Sequence, residues 1–181
     1  MTDAIYHEIH KSCLTLERYR IATYASIELS AVNRDDGVIH IKPMGECDVH
    51  TILESSRSNL HAELYARFAD IGSILLVNSE WIGIASGAGW TLDRSSYGYI
   101  PSFTDTVPCT AKIRAHVDSE EYAKAFCDAV SNVITDEKPT RAVLVRGIGA
   151  LVFADTAMDA AEYAVTLEYA AKKAFHIRKF R

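Results

Sequence analysis

Apolar residues recur at helical spacing at Ile5, Ile9, Cys13 and Leu16, which predicts an amphipathic opening helix. The period then changes. Residues 26–32 and 38–42 are β-rich, and Asn33-Arg34-Asp35-Asp36-Gly37 between them reads as a hairpin connection. Pro43-Met44-Gly45 ends the second strand. Residues 60–68 predict a helix, 73–77 a buried apolar strand, and 80–85 a short helix running into Gly87-Ala88-Gly89. Residues 90–117 read as strands and loops punctuated by Pro101 and Pro108. Asp118 and Glu121 predict a capping box for a helix with Phe126, Val130 and Val133 on its inner face. Pro139 separates that helix from a final strand pair. Thr156 with Asp159 opens the last helix, whose Ala160, Ala164, Leu167 and Ala171 form a small-residue stripe.

Composition narrows the class. The 181 residues suit one α/β domain spanning 1–181, with no repeat, linker or low-complexity segment. A formal net charge of −5 argues against nucleic acid or an anionic membrane as partner. The basic run Lys172, Lys173, Arg178, Lys179, Arg181 fits a cationic helix end. Cys13, Cys47, Cys109 and Cys127 form no CxxC pair and read as reduced core thiols. The N-terminus is no signal peptide and no apolar run reaches membrane-spanning length, so the expected location is cytoplasmic.

Four segments carry a family resemblance in consistent order: DDGVIHIKPMG, SSRSNLHAELYARFAD, TDTVPC and the closing RAVLVRGIGALVFADTAMDAAEYAVTLEYAA. Together they resemble the class II aldolase/adducin superfamily over nearly the whole chain. The resemblance implies a three-layer α/β/α sandwich around a mostly antiparallel sheet, often tetrameric with sites between subunits. It also implies zinc held by a His-x-His and by the histidine of Asn-His-Gly, stabilising an enediolate. Here the His-x-His matches Leu76-Val77-Asn78 and the third histidine matches Ile148. A family glutamate matches Arg57, and the phosphate-binding Gly-Asn-x-Ser turn matches Ile27-Glu28-Leu29-Ser30. Leu76 and Ile148 cannot ligate a metal, and Arg57 would repel one. No metal and no cofactor are therefore expected, zinc entering only if that alignment is wrong.

The same positions define a candidate cleft. Ser55, Ser56, Arg57, Asn78 and Glu28 are candidate ligand-binding residues, with Arg57 able to clamp an acidic group through its guanidinium fork. The competing reading is a collapsed cleft in which Arg57 and Glu28 pair. Tyr97 and Tyr99 fall where the resemblance implies a proton-donating tyrosine, and Tyr97 and Arg57 are the candidate catalytic residues; the competing reading is that both tyrosines cover the sheet. His61 matches a family histidine beneath the cleft and reads as packing. Looser clusters are His7, His10 and Cys13 on the first helix, and Cys47, His50 and Glu54. Lys112, Arg114 and His116 read as one basic strand face. Gly147-Ile148-Gly149 does not open a helix, which excludes a dinucleotide loop.

The functional expectation is a divergent, metal-free member that binds a small ligand, an acidic one included, or a partner. The alternatives are a carbon–carbon lyase of aldolase or decarboxylase type, or an epimerase, acting on a small carbohydrate-like or carboxylic-acid substrate. A homo-oligomer, tetrameric by resemblance, is expected in either case.

Overall fold

The computed structural model describes residues 2–21, 27–46, 48–56, 59–100, 106–115, 120–134 and 140–180. Strands β1 (Glu28–Asn33), β2 (Val38–Pro43), β3 (His50–Leu53), β4 (Ser73–Val77), β5 (Ala142–Val145) and β6 (Gly149–Ala154) build a six-stranded sheet. Its order is β3-β2-β1-β4-β6-β5, and every pairing between these strands is antiparallel. Helices α1 (Thr2–Arg18), α2 (Leu60–Arg67), α3 (Glu80–Ala88), α4 (Arg94–Tyr97), α5 (Glu120–Ser131) and α6 (Ala157–Lys179) lie around it.

Alternation along the strands sorts side chains to two faces, because successive residues point to opposite sides. Leu29, Ala31, Leu75, Val77, Ala150 and Val152 join residues of α1, α3 and α6 in one apolar cluster. Ile39, Ile41, Ile74, Leu151 and Phe153 join residues of α2 and α5 in the other. The result is the three-layer α/β/α sandwich with an antiparallel centre that the resemblance implied.

α6 reaches the sheet because its inner stripe is small. Ala160, Ala164 and Leu167 are fully buried and Ala171 is nearly so. Thr156 caps it, accepting from the Asp159 backbone N–H at 3.1 Å and donating to Asp159 Oδ2 at 2.6 Å. From mid-helix, Glu168 caps α3. Its carboxylate accepts from Ser79 Oγ at 2.6 Å and from the backbone N–H groups of Trp81 and Ile82 at 3.1 and 2.9 Å. An anion there suits the positive end of a helix and fixes the chain where it leaves β4.

The pattern-based elements mostly stand, with corrections. β3 was not expected. Its residues are exposed apart from the half-buried Ile52, so it lacks an apolar alternation. α4 was not expected either; Asp93 nucleates it by a capping box with Ser96. α3 runs on to Ala88, closed by Gly89 in the left-handed conformation. Residues 111–115 form no strand. The nearest pairing is one isolated bridge, Cys109 with Leu144. The β-rich segment expected at 26–32 is β1, so Glu28–Ser30, which the resemblance matches to part of a phosphate-binding turn, lie in a strand. Phe126 and Val130 are buried as expected on α5, while Val133, just past its end, is half-buried. Asp118, Pro101 and Pro139 lie outside the described residues.

Candidate functional site

β1 and β4 pair so that Glu28 stands directly opposite Leu76. Directly opposed residues share a face, with Cβ atoms roughly 4.5–5.5 Å apart. That face is the α2 face, for Leu76 and Ile148 both pack against its apolar cluster. Glu28 therefore sits beside the first position that the resemblance assigns to a zinc histidine.

Glu28 is the outer end of a polar chain. Its Oε2 lies 3.1 Å from Nε2 of His61, whose side chain is 3% exposed against 42% for Glu28. His61 Nδ1 lies 2.8 Å from Ser30 Oγ, and Ser30 Oγ lies 3.0 Å from the Tyr65 hydroxyl. Two independent local features aim these groups. Asn59 caps α2 through the His61 backbone N–H, turning His61 and Tyr65 inward on successive turns. Strand alternation puts Glu28 and Ser30 together on the facing side of β1.

One proton arrangement satisfies the whole chain. With Glu28 ionised, His61 Nε2–H donates to the carboxylate, Nδ1 accepts from the Ser30 hydroxyl, and the Tyr65 hydroxyl donates to Ser30 Oγ. The His61 hydrogen bond holds the Glu28 carboxyl below the usual glutamate value, outweighing burial. Burial pushes the Tyr65 phenol well up, so it stays protonated. Ser30 Oγ also lies 3.3 Å from the Ile74 carbonyl, a second acceptor for its proton. The Glu28 partner is thus His61, which sequence reasoning had set aside as packing. Arg57, the partner first considered for Glu28, lies outside the described residues.

At the other side of β4 the chain closes tightly. Gly149 begins β6 at φ +148°, and a Cβ there would sit 2.3 Å from the Val77 carbonyl oxygen and 3.1 Å from Asn78 Cβ. Only glycine lets the two backbones approach so closely. Asn78 turns its amide toward α3, where a Cβ on Gly83 would meet its Oδ1 at 2.7 Å. The family's zinc does not fit this donor set: Leu76 and Ile148 present carbon alone, and the Asn78 oxygen lies against a helix backbone. Among the described residues no group of three or more His, Cys, Asp or Glu is placed to hold a metal ion.

The remaining candidates scatter. Ser55 is exposed and Ser56 half-buried in the turn leading to α2. Tyr97 is fully buried in the α6-side cluster, so within one chain it stands on the other layer from Glu28. Tyr99 is exposed under the Arg94 guanidinium. On α1, Cys13 faces the core while His10 stacks on Tyr6 at 4.5 Å. His50 bonds Glu46 and Glu54 pairs with Arg34, which separates that cluster, and Cys47 lies outside the described residues. Lys112 and Arg114 are exposed beside α5, and His116 lies outside the described residues. Burial raises the Cys13 and Cys127 thiols to about 11 and 12, as inert core thiols require. A hollow of about 740 Å³ opens at the opposite end of β4 between Phe68, Asp70, Arg141 and Tyr163.

This layered sheet, with its buried strand Ser73–Val77 and its glycine turn between the last two strands, defines a class II aldolase-like fold. The family described as Class II Aldolase and Adducin N-terminal domain matches residues 47–175, and the chain belongs to it. An L-fuculose 1-phosphate aldolase is 18% identical with a TM-score of 0.75, over 99% of this chain and 88% of that one. The L-fuculose-1-phosphate aldolase of Thermus thermophilus is 18% identical with a TM-score of 0.71, over 97% and 95%. A sugar-phosphate aldolase of Thermotoga maritima is 12% identical with a TM-score of 0.67, over 99% and 97%. At these identities the likeness is one of fold. No helix among the described residues is long and apolar enough to cross a membrane.

Proposed function

We propose that the chain is a divergent member of its family that has given up zinc-dependent aldol chemistry and holds a small ligand or partner in the remodelled cleft. The observation supporting this is the donor set. Leu76 and Ile148, at two of the three matching ligand positions, have no donor atom and pack into the apolar cluster under the cleft. A Lewis acid needs lone pairs at those places to stay bound. The same reading makes it a cytoplasmic homo-oligomer, tetrameric by family resemblance, with one domain over 1–181.

Elemental analysis of the purified protein, with an assay of L-fuculose 1-phosphate cleavage, tests the reading. The expected result is no stoichiometric zinc and no cleavage. Stoichiometric zinc overturns it.

The Glu28–His61 pair favours a second reading, a metal-independent lyase or epimerase. A carboxylate bonded to a buried imidazole is an acid–base couple open to solvent at one end. Turnover of a small sugar or carboxylic acid by zinc-free protein, lost in His61→Gln, would select that reading over simple binding.

A further inference from the structure

Resting on the metal-free reading, the nature of the ligand follows from what the described cleft offers. Two groups stand together on the α2 face where β1 and β4 pair, and a third shares their apolar cluster. Glu28 brings a carboxylate. Leu76, directly opposite, brings an apolar side chain, and Ile148 joins Leu76 against the same cluster. Glu28 commits only Oε2, to His61, leaving Oε1 without a partner among the described residues on a side chain 42% exposed. His61 is itself tied to Ser30, so the carboxylate is held in position at little further entropy cost to a ligand. The expectation of an acidic ligand rested on Arg57, which lies outside the described residues.

We propose that this site takes an organic cation: an ammonium group seated on Glu28, with its alkyl body over Leu76. Glu28 places an anion directly opposite Leu76, whose side chain has no donor atom to hold a metal that would neutralise it. A phosphate or carboxylate would meet Glu28 as a like charge. An alkylammonium would gain a charge-assisted hydrogen bond on one side and lose apolar surface to water on the other.

The test uses n-hexylamine and hexanoate, equal in length and opposite in charge, on the full chain after its zinc content has been measured. Calorimetric titration and thermal unfolding are read for wild type, Glu28→Gln and Leu76→Lys. Hexylamine should bind wild type and raise its melting temperature, while hexanoate does neither. Glu28→Gln should weaken hexylamine by about tenfold, the equivalent of one charge-assisted bond. Leu76→Lys supplies a tethered ammonium to Glu28 and should abolish binding by a route that keeps the carboxylate. Hexylamine binding that is absent from zinc-free wild type, or equal in Glu28→Gln, overturns the inference, as does hexanoate binding with similar strength. Stoichiometric zinc instead overturns the metal-free reading beneath it, so the two failures are distinguishable.

Discussion

The two faces of the sheet are built on opposite rules. Toward α6 the contact is alanine and leucine, with Ala160, Ala164 and Leu167 fully buried. The polar tie of α6 to α3 runs through Glu168 in mid-helix. Toward α2 the wall is apolar too, yet Ser30, His61 and Tyr65, all under 3% exposed, are threaded through it as a hydrogen-bonded line. Buried polar groups cost free energy unless each finds a partner, so a fold keeps such a line only where its geometry closes. One face holds the helix down; the other orients a carboxylate.

That contrast can be broken by substitution. The largest effect belongs on the α6 face. Leu167→Ala should cost about 3 kcal/mol in urea-induced unfolding, because the surrounding alanines cannot collapse into the gap. On the α2 face, Ser30→Ala removes one oxygen and no bulk. It should nevertheless cost about 2 kcal/mol, since His61 Nδ1 and the Tyr65 hydroxyl both lose their partner. A Ser30→Ala protein as stable as wild type would erase the contrast between the faces. Thr156→Ala, which removes the cap of α6, should cost about 1 kcal/mol and leave any hexylamine binding unchanged.

The smallest effect is a pH dependence. His61 holds Glu28 below its ordinary value of 4.5, so the folded state binds that proton more weakly than the unfolded chain. The resulting stability is fully present above about pH 4.5 and is lost as pH falls through the lower folded value. Acid unfolding curves of wild type and Glu28→Gln should therefore differ in shape only in that acidic range. Solvent screening keeps the effect modest for a side chain 42% exposed.

Where an element buries a clean stripe, the sequence announces it. α1, β4 and α6 are legible because Ile9, Cys13 and Leu16, the run Ser73–Val77, and the alanine stripe each meet a core. β3 was illegible because an edge strand with exposed His50, Thr51 and Leu53 needs no apolar period, only the backbone of β2. α4 was missed because its four residues are set by one local cap. Lys112 and Arg114 alternate like a strand, but alternation without a paired neighbour makes no ladder. At the site, the lack of a donor atom at Leu76 and Ile148, the positions the resemblance matches to zinc histidines, was visible residue by residue. The Glu28–His61–Ser30 line was not, because it joins residues 31 and 33 apart in the chain through strand register and a helix cap together. The one available signal was Asn59 two residues ahead of His61, which fixes the start of α2 and hence the direction in which that imidazole points.

The glycine at the head of β6 has a wider consequence. A side chain at 149 would push β6 off β4, so that residue is held by backbone geometry whatever chemistry the cleft performs. Its neighbour at 148 touches nothing that dictates a histidine. Position 149 is thus constrained by the approach of two backbones, while the side chain next to it at 148 is free of that constraint. A substitution at 149 would therefore be felt first as a separation of β4 from β6.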